Sequence, residues 1–507
     1  MAGRSAGTRA AALLLALVSA AAAVPRTGGT VRVYFLDVRH EPNPELLPSA
    51  SHVFLSSSVY RSLVRTGPDG SILPGIASSW TVTLGKPVGG LAGEQEEWSR
   101  WVFQLDPLAR FPDGRRVTAE DIIDSWERLL NSSRSPYRWL LDPVVGVRDY
   151  RSGEASRPVG LVAGFGTLEI RLRRATPDLL HRLAHPALGI SELRGGDAGL
   201  VGAGPFDSDP DHPGTLIRAN PFHHQGRPFL DGLELLQPQG VDPALLLQSG
   251  QADLTVLHGR SAGQILSSPD APIRMVRLPG WDRVYSLVWN GISTGAGGRG
   301  GLPERLRTAL DRQAMIRYLF DGRGEPVNSL LPLLHASAPS DIVSPGQPFS
   351  GRISLLYDDS DPSAMAIASR VKASWEELGL RVGLRPVDAE ELWYRLASGD
   401  YVAAVLLHHP PTVDAVLGLQ GTLSQLGEVA EPALQALDQA SMLSDPALRL
   451  QRARMAEDLL LEPGFLVPLV RVYAWLATAS SLVGVQGDAA GMLYLDDAWW
   501  LPGGADR

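Results

Sequence analysis

The chain has 507 residues, more than one hydrophobic core can organise, so two or three domains are expected. Hydrophobic residues make up 44% and charged residues 20%, the balance of an ordinary globular protein. A net charge of −9 argues against nucleic acid or anionic lipid as the main partner. The absence of cysteine excludes a disulfide scaffold, and with it a lipid carried on an N-terminal thiol.

The first 24 residues have the layout of a secretory signal. Arg4 and Arg9 form a basic start, Ala10–Ala20 is an apolar run, and Ala21-Ala22-Ala23 supplies small residues for cleavage. The apolar run is well short of the ~20 residues a spanning helix needs. The mature protein is therefore expected free in a periplasm, without a lipid anchor.

Val31–Leu36 alternates as a first strand, and His40 and Glu41 beyond its end are candidate ligand contacts. Val59–Leu63 is apolar and leads into the turn Thr66–Gly70. Thr81–Leu84 and Trp101–Leu105 alternate as strands, with a Gly-rich, acidic loop at Gly85–Glu97 between them. Thr118 caps a helix with Glu120 and Asp121 in its first turn, and Ile122, Ile123, Trp126, Leu129 and Leu130 form its apolar stripe. Trp281–Trp289 reads as a strand placing Trp281, Tyr285 and Trp289 on one face, either as core or as a stacking wall for a ligand. Asn290 ends that strand and joins the candidates.

Arg352–Asp414 has the clearest pattern. Ile353–Tyr357 is a buried strand, and Asp361-Pro362 opens a helix that Gly379 closes. Leu380–Leu384 is the next strand. Asp388 and Glu391, at capping-box spacing, open a helix ending at Gly399, and Tyr401–Leu407 is a third strand. Strands joined by single helices pair in parallel, and ligands bind beyond their carboxyl ends. This rule points to Asp358, Asp359, His408, His409 and Asp414 as one wall of a cleft.

Several segments in order resemble family 5 extracellular solute-binding proteins, the dipeptide-, oligopeptide- and nickel-binding components of ABC importers. The segments are VYRSLV, PDG, LPGIASSW, WVFQLD, FPDG and VTAEDIIDSW between Val59 and Trp126, then GAGPF at Gly202–Phe206, NPFHHQGRPFLDGL at Asn220–Leu233, SGQADL at Ser249–Leu254 and LRTALDRQAMI at Leu306–Ile316. The resemblance covers nearly all of the mature chain. It implies an α/β, periplasmic-binding-protein-like fold (type II, cluster C), with two hinged α/β lobes and an extra inserted domain. On that pattern domain I comprises residues 25–50, 161–280 and 476–507, domain II residues 51–160, and domain III residues 281–475. The implied function is to bind a peptide-like or other small solute between closing lobes and deliver it to a membrane permease, as a monomer. A sensor or scaffold of the same fold, and binding of nickel or another metal chelate, are the alternatives, with a secreted hydrolase ranked behind them.

No cofactor or catalytic site is expected. Gly291–Gly295 has the G-x-S-x-G spacing of a hydrolase nucleophile elbow, but the glycine-rich run after it cannot start the required helix. Gly295–Gly300 has G-x-G-x-x-G spacing without a strand directly before it. The pairs His223-His224 and His408-His409 lack zinc-site spacing. Peptide-binding members of the family hold the ligand's amine with an Asp in a W-x-x-D-Y-x-[DE]-P segment. Here that segment is His408–Ala415, and neither alignment of it places an acid at the amine-holding position. The resemblance therefore implies that ordinary peptides are not gripped here by the usual N-terminal contact.

Overall fold

The computed structural model describes residues 24–35, 43–47, 49–85, 98–193, 199–209, 211–212, 215–236, 240–268, 271–291, 293–294, 298–331, 347–408, 412–488 and 490–504. His40, Glu41 and His409, residues 86–97 of the expected loop, residues 1–23 and parts of both glycine motifs lie outside the described residues.

Three sheets organise the chain. The first has seven strands in the order Phe206–Ser208, Leu216–Ala219, Gly232–Leu236, Thr30–Tyr34, Leu254–His258, Ala474–Ala479, Ile273–Arg277. Thr30–Tyr34 is parallel to both neighbours, with Val33 facing Leu235 and Leu254. Its core holds Val31, Val33, Phe54, Leu55, Phe206 and Leu254. The second sheet has six strands in the order Gly324–Pro326, Leu466–Val472, Arg283–Trp289, Ala403–His408, Arg352–Asp358, Arg381–Val387. The last three are mutually parallel, as the alternation of strands and helices requires.

Local chemistry accounts for these elements. Asp361 accepts a hydrogen bond from the Ser363 amide and opens helix Pro362–Glu376, and Gly379 beyond its end has φ +98°, a conformation that needs glycine. Asp388 accepts from the Glu391 amide at 2.8 Å, and Gly399 in the left-handed region closes that helix at Ser398. Helix Ala119–Asn131 carries a complete capping box between Thr118 and Asp121, and every apolar residue of its expected stripe is buried.

The third sheet is antiparallel, in the order Ala77–Gly85, Trp98–Leu105, Thr167–Leu172, Leu161–Gly164. It runs past residue 160, where the sequence pattern ended domain II, because the hairpin Leu161–Leu172 completes it. Helix Ala50–Val59, assigned from sequence largely to domain II, gives Phe54, Leu55 and Val59 to the core of the first lobe. Four buried serines sit on this helix, and Ser57 and Ser58 return their hydroxyls to the Phe54 carbonyl, which allows the whole element to be covered.

The chain crosses from first sheet to second at Leu278–Asp282 and returns at Tyr473. The two crossings are fastened together. Arg277 donates to Asp282 Oδ2 at 2.7 Å and to the Ala474 carbonyl at 3.0 Å, and Asp282 Oδ1 accepts from the Ala474 amide at 3.0 Å. The Arg277 guanidinium also lies 4.6 Å from the Tyr473 ring centroid and 5.3 Å from that of Trp475.

The strand expected at Trp281–Trp289 begins at Arg283, and Trp281 sits in the preceding turn. The shared face is therefore corrected. Trp281 packs in the core of the first lobe, while Tyr285 and Trp289 pack in that of the second.

Candidate functional site

The second lobe meets the rest of the molecule along two seams, and each encloses a cavity. The larger, about 260 Å³, lies between the first and second sheets. It opens beyond the carboxyl ends of strands on both sides, at Phe35 and His258 in the first lobe and at Pro362 and Ser363 in the second. Parallel strands leave such a crevice because the chain turns back into helices there. Trp281 walls it from the hinge side, with its indole N–H on the Gly491 carbonyl. Arg260 and Arg283 supply charge, and none of its lining residues is acidic. Asp361, behind the wall, is occupied: it accepts from the Tyr285 hydroxyl at 2.6 Å, Arg283 at 3.2 Å and the Ser363 amide at 3.0 Å. Burial, with the Asp361 charge, pushes the Tyr285 hydroxyl well above its usual range, so it stays a donor.

The smaller cavity, about 40 Å³, lies between the antiparallel sheet's domain and the second lobe. Tyr137, Trp139 and His185 line one side; His408, Thr412 and Gln425 line the other. His408 ends strand Ala403–His408 and is 4% exposed, and neither of its ring nitrogens has a hydrogen-bond partner among the described residues. The Trp139 indole N–H is also unpartnered there. Burial lowers the His408 pKa to about 3, so the ring is neutral at pH 7. His185 is lowered to about 3 for the same reason. Its Nδ1 accepts from the Ala187 amide at 3.1 Å, which leaves the proton on Nε2.

Beside this cavity runs a buried chain of alternating charge. Asp414 caps helix Ala415–Leu423 by accepting from the Leu417 amide, and its other oxygen accepts from Arg449 at 2.7 Å. Arg449 also reaches Asp178 across the seam at 3.3 Å, and Asp178 accepts from Arg182 Nε at 3.1 Å. Arg182 donates back across the seam to Gln420 at 3.2 Å. Pairs Arg174–Asp438 and Arg134–Glu390 cross the same seam nearer the surface. Two acids and two bases thus compensate one another in low dielectric, the condition for tolerating buried charge.

Of the candidates read from sequence, His408 and Asp414 fall at the seam with the antiparallel domain and Trp281 at the other. Tyr285 and Trp289 are enclosed by their own lobe: Tyr285 stacks on Phe320, and Trp289 packs edge-on against Trp375 with its N–H on the Gly300 carbonyl. Asn290 ties the end of its strand to the Gly399 and Tyr401 carbonyls at 2.6 and 3.1 Å. Asp358 turns its carboxylate onto Ser360, and burial raises its pKa to about 6. His223 and His224 are adjacent, with ring centroids 4.7 Å apart, and burial lowers the pKa of both. No group of three or more His, Asp or Glu among the described residues could hold a metal ion. The sequence reading missed Trp139, His185, Arg182 and Arg449. Their partners lie up to 271 residues away, and no local spacing announces them.

Hinged lobes around seam cavities define the class of periplasmic binding proteins, and the comparisons narrow it. The family described as bacterial extracellular solute-binding proteins, family 5 Middle, matches residues 71–427, and the chain belongs to it. It is 24% identical over 301 residues to YhjP of Bacillus subtilis (strain 168), covering 58% of this chain and 46% of that protein, so the match spans about half the relative's length. It is 24% identical over 383 residues to the probable D,D-dipeptide-binding periplasmic protein DdpA of Escherichia coli (strain K12), covering 68% of each. The fold matches the Escherichia coli murein tripeptide binding protein MppA with a TM-score of 0.73 at 17% identity, over 94% of this chain and 99% of that one. Against the unliganded open form of MppA the TM-score is 0.60 at 18% identity, over 94% and 98%.

Proposed function

We propose that this protein is the solute-binding component of an ABC importer, taking a peptide-like or other small solute between its lobes and delivering it unchanged to a membrane permease. The observation that carries this reading is the placement of both cavities in seams of the second lobe, which is tied to the first by two adjacent crossings. A solute in such a seam touches both lobes, so binding and closure are coupled. Specificity then rests on a few polar groups while packing supplies the rest. Family membership supports the reading, as do the peptide ligands named for DdpA and MppA.

The protein works in the periplasm as a monomer, without a lipid anchor or cofactor, and without catalysing a reaction on its solute. Among the described residues no helix is long and apolar enough to cross a membrane. The test is to strip the purified protein of bound solute and screen a panel of peptides and other small solutes by thermal shift, with small-angle scattering on each hit. At least one solute is expected to raise the melting temperature, contract the particle and be recovered with its mass intact. Chemical turnover of the solute, or binding without contraction, would refute it.

A further inference from the structure

We infer that the cavity closed by His408 and Trp139 is the end pocket of the solute site and takes an uncharged hydrogen-bonding group, so that the preferred solute carries an acylated nitrogen rather than a free ammonium. This inference rests on the solute-binding reading above and concerns what the site selects.

The pocket presents unmet hydrogen-bonding atoms of both kinds. His408 is enclosed with both ring nitrogens unpartnered among the described residues, and Trp139, whose indole N–H is likewise unpartnered, lines the same cavity. A neutral imidazole offers one donor and one acceptor, and the indole adds a donor. An amide supplies both complements: its carbonyl accepts and its N–H donates. An ammonium supplies donors alone. It would satisfy one imidazole nitrogen, leave the indole N–H unmet, and sit desolvated without a counter-charge, which is strongly unfavourable.

Among the described residues no acid is placed to provide that counter-charge. The residues lining either cavity include no Asp or Glu. Asp414 and Asp178, the carboxylates beside the small pocket, are held by Arg449 and Arg182. A carboxylate fits no better as an end group, because the two nearby guanidinium groups are committed to those same acids. A volume of about 40 Å³ suits a small end group, since a single water takes roughly 10–15 Å³ by the same measure. Burial keeps His408 neutral at pH 7, in agreement with an uncharged guest.

The test uses three probes that differ at one end: trialanine, N-acetyl-trialanine and N-succinyl-trialanine, each titrated into the stripped full-length protein by calorimetry. N-acetyl-trialanine is expected to bind at least tenfold tighter than either of the others. In His408→Leu that advantage is expected to fall to threefold or less, and in His408→Asp the free amine of trialanine is expected to become the preferred end; circular dichroism establishes that each variant is folded. Trialanine or the succinyl probe binding as tightly as the acetyl probe, or no measurable binding of any of the three, would overturn the assignment. If other solutes in the wider panel still contract the particle, the solute-binding reading survives this failure. If none does, both fall.

Discussion

The two seams of the second lobe handle charge in opposite ways. Against the first lobe the cavity is large, walled by Phe35, Trp281 and Phe320, and lined by Arg260 and by Arg283, the latter paired with Asp361 behind the wall. Against the antiparallel domain the cavity is small, and Asp414, Arg449, Asp178 and Arg182 neutralise one another next to it. The first surface has charge to offer a guest. The second spends its charge on the protein itself and leaves a neutral imidazole and an indole N–H unfilled among the described residues. The comparison teaches that the domains on the two sides of the cleft are not equivalent jaws: one seam is equipped chiefly to receive and the other chiefly to hold.

This contrast can be broken most severely at Arg449. Arg449→Ala leaves Asp414 without its cation in a largely buried place and is expected to cost about 3 kcal/mol in denaturant-monitored unfolding. The pair Arg449→Met with Asp414→Asn removes both charges and is expected to recover at least half of that loss. The next effect is pH-dependent. A histidine kept neutral in the folded state at about pKa 3, against roughly 6.5 unfolded, contributes full stability above pH 6.5 and loses it as pH falls, because only the unfolded chain takes up the proton. Between pH 7 and 5 this amounts to about 2 kcal/mol for one histidine. His408→Gln is therefore expected to flatten the stability–pH curve by that amount, measured by urea unfolding at both pH values. Tyr285→Phe removes one donor from buried Asp361 and is expected to cost about 1–2 kcal/mol, since Arg283 and the Ser363 amide remain. Arg260→Ala sharpens the comparison with the smallest change in stability, within about 0.5 kcal/mol for an exposed side chain. Its expected effect is a weaker solute affinity in calorimetry, because Arg260 faces the receiving seam.

The second lobe was legible because its signals are local. Asp361-Pro362, Gly379, Asp388 and Gly399 each mark a helix end by their own backbone chemistry, and the parallel order of the strands follows from the alternation. His408 and Asp414 were reached by the same route, as candidates beyond a strand's carboxyl end, and both lie at a seam. Trp281 was misplaced because period-2 spacing continues through a turn as readily as through a strand. Helix Ala50–Val59 gave no amphipathic signal, since it is buried nearly all round and two of its serines, Ser57 and Ser58, bond to its own backbone. Arg449 and Arg182 were invisible for a different reason. An arginine in a polar stretch looks the same whether it faces solvent or a carboxylate brought from another domain.

The clamp of Arg277, Asp282 and Ala474 at the two crossings has a kinematic consequence. Two separate tethers would let one lobe slide, tilt and twist against the other, giving many gaping shapes. Cross-bound tethers act as one pivot, and motion about a single pivot is described by a single angle. On the function proposed above, a permease docking on this molecule would then need to distinguish only wide from narrow values of that angle, whatever cargo had set it.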